Sequence, residues 1–528
     1  MSNRKVYLRQ NVQVEPLFNQ WYAWTYLISP ATAPMYIANQ HLKVMQSFIA
    51  SPDIHVAALK NPDMLGGPFI NYDAGKVKDI KALYERTRDE SALSMKFADA
   101  VQVLNKLLLT EANGLSLEPF YSKIPEILRG YVELVYDLNN RASIRFIEGL
   151  LYRSPFYDQS KQSLAFSLTN SDNRPFIFST PNLGGDHQWD LHVPFADPRL
   201  DELFTMKSSP RPYADIRETL EVRERDEALF SSLFTEEASP ASSRHQLEET
   251  RIRYFGHACI LIESAATTIL TDPVISYSFK EASDRYTFAD LPDVIDYVVI
   301  THGHQDHCML ETLLQLRPRI KNLIVPRSNG GMLADPSLKL ALENVGFRNV
   351  RELAELDSIE FDDGSIVGLP FMGEHGDLNI TTKLAYLVRV RDKSIICAAD
   401  SNNIEPKLYE HLHKLFGDID VLFLGMECEG GPLTWLYGPL LTTPITRKMD
   451  QSRRFDGSNY EKAISIVDHF RPRSVYVYAM GQEPWLSYLT SIHYTEESRP
   501  IVESNRLVAE CRKRGITSER LFGCKEIF

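Results

Sequence analysis

Four side chains of metal-ligand type fall within six residues in the stretch Thr301-His302-Gly303-His304-Gln305-Asp306-His307. The run Tyr297–Ile300 before it is apolar and reads as a buried strand. Alternation at the end of a strand sends His302 and His304 to the same side. The turn that follows can aim Asp306 and His307 at a second metal ion. Gly303 lets the backbone approach the ions without a clashing side chain. A lone histidine is usually structural, whereas three histidines and an aspartate at this spacing form a metal site.

This pattern resembles the HxHxDH signature of the metallo-β-lactamase superfamily. Ile269-Leu270-Thr271-Asp272-Pro273 stands where that family has its LxDP strand, and Gly256-His257-Ala258 resembles the opening of lactonase-like members. The resemblance runs from about Leu247 to the C-terminus. It implies an αββα sandwich with a dinuclear site at the sheet edge. It also implies that Asp272 supports the ligands from behind. His257 is expected to hydrogen-bond near the site rather than ligate.

Further ligands are expected from separate loops. Gly373-Glu374-His375-Gly376 lies where hydrolases of this fold place a Gly-His ligand, but a glutamate follows the glycine here. Asp400 ends the apolar run before it and matches the aspartate that bridges two metals. A last histidine is expected after the strand-like Val475–Tyr478, yet the segment reads Ala479-Met480-Gly481-Gln482-Glu483-Pro484. Glu483 is therefore a candidate acid/base at that position. His302, His304 and His307 stand against Asp306, Glu374 and Asp400, a balance closer to oxygen-activating diiron sites than to histidine-rich zinc hydrolases. Ligation by His375 in a divergent zinc hydrolase of an ester, lactone or phosphodiester is the competing reading.

These departures, with Gly425–Pro439 and Tyr478–Trp485, resemble the diiron β-hydroxylases of nonribosomal peptide pathways, the chloramphenicol-pathway type, over the whole length. That resemblance implies His302, His304 and Glu374 on one iron, Asp306 and His307 on the other, and Asp400 between them. It implies a monooxygenase that uses O2 and an external electron donor. Its substrate would be an amino acid carried as a thioester on a carrier domain of a nonribosomal peptide synthetase. Glu427, Glu429, Trp435 and Tyr437 lie in a loop expected to border the substrate pocket. The N-terminal block is expected to wall the channel and support a homodimer.

The elements that must hold these residues form two blocks. Residues 1–246 are aromatic-rich with helical periodicity at 79–105 and 124–154, and contain no metal-ligand spacing. The polar, Ser-rich stretch 236–246 reads as a linker. From 247 to 528, short β-rich runs alternate with helical stretches, an α/β arrangement of layered sheets. One strand is expected over 251–263.

Over 528 residues, 44% are hydrophobic and 24% charged, as in globular chains of more than one domain. Fifty-seven basic against 70 acidic residues give a net charge of −13, which argues against bulk nucleic-acid binding. Two basic clusters are candidate docking patches or solvated surface: Arg317, Arg319 and Lys321, and a mobile loop carrying Arg447, Lys448, Arg453 and Arg454. The six cysteines form no CxxC pair, so reduced thiols are expected. No apolar stretch suits a signal peptide or a membrane span, and a soluble cytoplasmic protein is expected.

Overall fold

The computed structural model describes residues 4–61, 64–238, 249–280 and 284–527. Most of the expected linker and the expected 246/247 boundary fall at 239–248, outside the described residues. Beyond that stretch, two seven-stranded sheets face each other. The first runs in the order Val350–Leu353, Ile320–Pro326, Ile295–Val299, Thr268–Thr271, Cys259–Glu263, Arg251–Gly256, Lys525–Ile527. The second runs Ser358–Phe361, Gly364–Leu369, Ala385–Val390, Lys393–Cys397, Val421–Gly425, Ser474–Tyr478, Thr517–Arg520. Both are mixed, with antiparallel hairpins on one side and parallel strands on the other. Alternation places Ile252, Ile260, Ile269 and Val299 opposite Ile366, Val388, Ile395 and Phe423 in the layer between the sheets. Helices Lys407–Phe416, Tyr460–Phe470 and Arg499–Lys513 cover the outer face of the second sheet. This is the expected αββα sandwich.

The outer face of the first sheet is covered by helices Leu310–Leu316 and Leu338–Asn344 and then by the N-terminal block. Their buried side chains form one continuous core with Trp24, Leu27, Phe166 and Phe204. Every residue of Leu310–Leu316 is buried, including Glu311 and Gln315, as befits a helix with protein on all sides. Arg174 reaches across from the N-terminal block to Glu311 at 3.0 Å and also pairs with Glu15 at 2.6 Å. The helix that follows the histidine motif is thus clamped by the N-terminal block.

Several expectations need correction. The 79–105 periodicity belongs to two helices, Val77–Glu90 and Ala92–Glu111, broken at Ser91. The 124–154 stretch is not one helix. It holds short 3-10 turns, the hairpin Val132–Tyr136/Ala142–Phe146 and a single helical turn Glu148–Leu151. Half-buried Glu133, Val135, Ser143 and Arg145 alternate with buried Val132, Leu134, Ile144 and Phe146, so period two competes with helical spacing here. The 251–263 strand is a hairpin that turns at His257-Ala258, with His257 at φ 51°. Arg317 is no surface patch: it is buried, bonded to Asp201 and to the carbonyls of Phe195 and Val345. Residues Arg447–Ser452 form a short helix capped by Thr446 rather than a loop.

Candidate metal centre

The strand Ile295–Val299 delivers His302 and His304 to the edge of the sandwich, and the turn after it delivers Asp306 and His307. Asp272, at the end of the neighbouring parallel strand, holds the motif from beneath. Its Oδ1 accepts from the Thr301 N–H at 2.7 Å, and its Oδ2 accepts from Thr301 Oγ1 at 2.6 Å and from His307 Nδ1 at 2.8 Å. Asp272 is fully buried. Glu374 comes from the loop after Gly364–Leu369 and Asp400 from the loop after Lys393–Cys397. Gly373, at φ 76°, is required in that first loop: a Cβ there would lie 2.7 Å from the Asn402 Cβ.

The hydrogen bonds order the protons of the imidazoles. Thr301 spends its hydroxyl proton on Asp272, so it accepts from His302 Nδ1 at 3.0 Å, and His302 Nε2 is left bare. His307 donates from Nδ1 to Asp272 and presents Nε2, 2.9 Å from Asp400 Oδ2. His304 turns Nδ1 toward Glu374 Oε1 at 2.9 Å. His257 differs: its Nδ1 accepts from the Gly481 N–H at 3.2 Å. A neutral ring then carries its proton on Nε2, which lies 3.3 Å from Asp306 Oδ2. That proton makes His257 a donor to Asp306. His375 directs Nδ1 at the Gly373 carbonyl, 3.3 Å away, and lies 2.9 Å from Glu374 Oε2.

Three groups of potential donor atoms converge: His302, His304, Glu374 and His375; His302, His307 and Asp400; and His257, Asp306 and His307. His302 Nε2 and Asp400 Oδ1 are buried without any hydrogen-bond partner. Bare imidazole nitrogens facing partnerless carboxylate oxygens are an unfavourable arrangement unless cations lie between them. The donor set therefore fits two metal ions. Its electrostatics agree. Burial opposes ionisation of Glu374, but His304 and His375 outweigh it and hold the carboxyl down at about 2. Burial and three neighbouring histidines push His302 well down, so it is neutral and able to ligate. Burial lowers the His307 pKa, but Asp400, Asp306 and Asp272 outweigh it and raise it well up, so positive charge is favoured beside its Nε2, where a metal cation would take the place of the extra proton.

A cavity of about 720 Å³ opens onto His304, Asp306, Glu374 and Asp400. Of the residues expected at a pocket, Glu427, Glu429 and Trp435 line it. Tyr437 sits instead beneath His304, with its hydroxyl 2.7 Å from Nε2. Glu483 is buried, hydrogen-bonded by Tyr254, and does not line the cavity. Burial, with Asp400, Asp306 and Glu374 nearby, holds the Glu427 carboxyl well above its ordinary range. The opposite wall comes from the N-terminal block: Asn39, Gln40, Phe69, Phe176 and Phe178. Sequence reasoning missed these, since they share no spacing with the ligands. Trp435 joins the two walls by donating Nε1–H to the Gly66 carbonyl at 2.6 Å.

Sandwich and site together define a metal-dependent enzyme of the β-lactamase superfamily, and the profile of that superfamily matches residues 267–430. The profile named diiron non-heme beta-hydroxylase N-terminal domain matches residues 7–238. The chain is 39% identical over 525 residues to the 4-amino-L-phenylalanyl-[CmlP-peptidyl-carrier-protein] 3-hydroxylase of Streptomyces venezuelae, covering 97% of this chain and 98% of that one. The crystal structure of CmlA, a diiron β-hydroxylase from Streptomyces venezuelae, superposes with a TM-score of 0.92 at 37% identity, over 100% of both chains. A UPF0173 protein of Pyrococcus abyssi, 25% identical, matches 42% of this chain and 80% of its own length. The chain belongs to the diiron non-heme β-hydroxylases, and family membership sets aside the zinc hydrolase reading. Among the described residues, no helix is long and apolar enough to cross a membrane.

Proposed function

We propose that this protein hydroxylates the β-carbon of an aminoacyl group held as a thioester on a carrier domain. The observation that carries this reading is the convergence of His302, His304, Asp306, His307, Glu374 and Asp400, with His302 Nε2 and Asp400 Oδ1 buried and partnerless, beside a cavity walled by both the sandwich and the N-terminal block. His302, His304 and Glu374 are assigned to one iron, Asp306 and His307 to the other, and Asp400 to both. Two irons held by these residues would supply the activation of O2, with electrons from an external donor. The chain's own residues do the rest. Asp272 and Thr301 fix which nitrogen of His302 and His307 is bare. His257 steadies Asp306 by donating to it. Glu427 holds a proton at the cavity wall and can pass it to a carboxylate or an oxygen near the centre. Phe176, Phe178 and Trp435 keep the approach to the site apolar and limit water. Glu483, tied to Tyr254 behind the cavity, supports the His257 hairpin rather than serving as the acid/base.

The cavity mouth carries Arg454, with the short basic helix Arg447–Ser452 beside it, a suitable face for an acidic carrier domain and the phosphate of its arm. The reading includes a separate electron-transfer protein. It also includes a junction between the two domains near residue 246, and self-association through the N-terminal domain. Exposed Val103, Leu109, Leu115 and Leu138 support the last point. The test is turnover of aminoacyl-loaded carrier domains under isotopically labelled O2 with a chemical reductant. One labelled oxygen atom in a product bearing a β-hydroxyl is expected. Hydrolysis of the thioester without oxygen incorporation would overturn the reading.

A further inference from the structure

We propose that Gln40 of the N-terminal domain is a specificity-determining residue whose carboxamide oxygen accepts a hydrogen bond from an N–H group of the loaded carrier arm. The inference rests on the reading under Proposed function that the cavity receives an aminoacyl arm. It concerns what the wall opposite the metal centre selects.

Gln40 sits in an uncommon turn. The helices Ala33–Tyr36 and Leu42–Ala50 are joined without a break by the π-helical turn Ile37–His41. Such turns are rare and frequently mark functional sites. The residues of this one divide between two surroundings. Ile37 and His41 are buried, with the His41 ring stacked on Trp21 at 3.9 Å. Asn39 and Gln40 are half-buried and line the cavity.

Both carboxamides are tied down by their nitrogens. Asn39 donates from Nδ2 to the Pro439 carbonyl at 2.9 Å, on the sandwich side. Gln40 donates from Nε2 to the Phe178 carbonyl at 3.2 Å, within the N-terminal domain. A carbonyl can only accept, so these bonds decide which end of each carboxamide is the oxygen. Asn39 Oδ1 has the Lys43 ammonium at 3.5 Å. Gln40 Oε1 meets no donor among the described residues, and it is not sealed in the interior. It is an oriented acceptor at the cavity wall, waiting for a donor.

Its neighbours are aromatic. Phe176 and Phe178 pack on Trp435 with ring centroids 6.2 and 5.7 Å apart, and all three line the same cavity. Water can serve Oε1 while the cavity is open. An arm that fills the cavity displaces that water, and Oε1 then needs a donor from the arm or its desolvation counts against binding. A site built around such an acceptor rejects an analogue that lacks the donor, because the acceptor is left unpaired. An aminoacyl arm offers N–H donors at two places, the α-ammonium group and the amides of the arm. The chemistry is the same for both.

The test measures binding of loaded carrier domains to the full-length, iron-loaded protein under anaerobic conditions, so that no turnover is needed. Three arms are compared, each with the thioester sulfur replaced by methylene. One carries a phenylalanyl group. The second carries a phenylpropionyl group, which lacks the α-amine. The third carries phenylalanyl on an arm whose last amide is replaced by an ester. Wild type is expected to bind the first arm about 10-fold or more tighter than one of the other two. In Gln40→Met, with its iron retained, that preference should disappear. A preference over the second arm assigns the donor to the α-ammonium, and a preference over the third assigns it to the arm amide. Equal affinity of wild type for all three arms would overturn the proposal, whatever the variant does. So would a variant that weakens all three arms by one factor, since a merely structural role predicts that result. If wild type binds no loaded carrier at all, the reading under Proposed function fails and the proposal falls with it.

Discussion

Asp400 Oδ2 stands 2.9 Å from His307 Nε2 while the Oδ1 of the same carboxylate has no partner. His302 Nε2 is 3.8 Å from that Oδ2 on the other side. One carboxylate therefore faces the bare nitrogens of two histidines. Asp400→Asn keeps the shape and removes the charge that lets one group serve two cations. The expected outcome is loss of about one iron per chain and a fall in turnover of 100-fold or more, in the range for a lost charge-stabilising group. Iron analysis beside single-turnover kinetics checks it. Two irons retained at full activity would place the bridge elsewhere.

Asp272 takes three donors on two oxygens. An amide offers one carbonyl oxygen and an NH2, so Asp272→Asn must leave at least one donor facing a donor. The variant is expected to lose about 10- to 100-fold in metal affinity at the His307 site. A calorimetric scan should also show a lower unfolding temperature, because the unmet group is buried.

Lys207 is buried with no hydrogen-bond partner for its amine, against the Phe288 and Tyr277 rings. Burial, and then the nearby Arg319, lower its pKa to about 7. The unfolded chain keeps that proton up to about 10.4. Between these values the unfolded state binds more protons, so stability should rise with pH by up to about 1.4 kcal/mol per unit. Lys207→Met should be more stable than wild type at pH 7 and should flatten the slope from pH 7 to 10. Equal slopes in denaturant titrations of the two proteins would contradict this.

Charge reversal at Lys448 and Arg454 tests carrier docking. Arg453 is unsuitable for this purpose, because it holds the Gly376 carbonyl at 2.7 Å, two residues from Glu374. The Lys448→Glu/Arg454→Glu protein is expected to keep its iron and to show a raised KM for loaded carrier, more so at low salt, with little change in kcat. An unchanged KM would refute the docking face.

The site was the most legible part of the sequence. HxHxDH spacing is local, Asp272 and Asp400 each end an apolar run that reads as a strand, and Glu374 follows another such run in a short loop. The sandwich was legible for the same reason, since its strands are short and apolar. The N-terminal block was not. Its 124–154 segment mixes periods of two and three to four, and a hairpin emerged where a helix was expected. Arg317 reads as a surface charge until Asp201 and two carbonyls are brought to it from other parts of the chain. Tyr437 reads as pocket in the sequence, but its hydrogen-bond partner His304 lies 133 positions away. Long-range hydrogen bonds leave no periodic trace, so which tyrosine touches a ligand could not be read from spacing.

The most direct test of the account is metal content per chain, with Mössbauer spectroscopy on protein expressed in labelled iron. Two irons per chain in one coupled cluster are predicted, with the coupling and about one of the irons lost in Asp400→Asn. Two zinc ions, with iron absent even after growth in iron-rich medium, would contradict it.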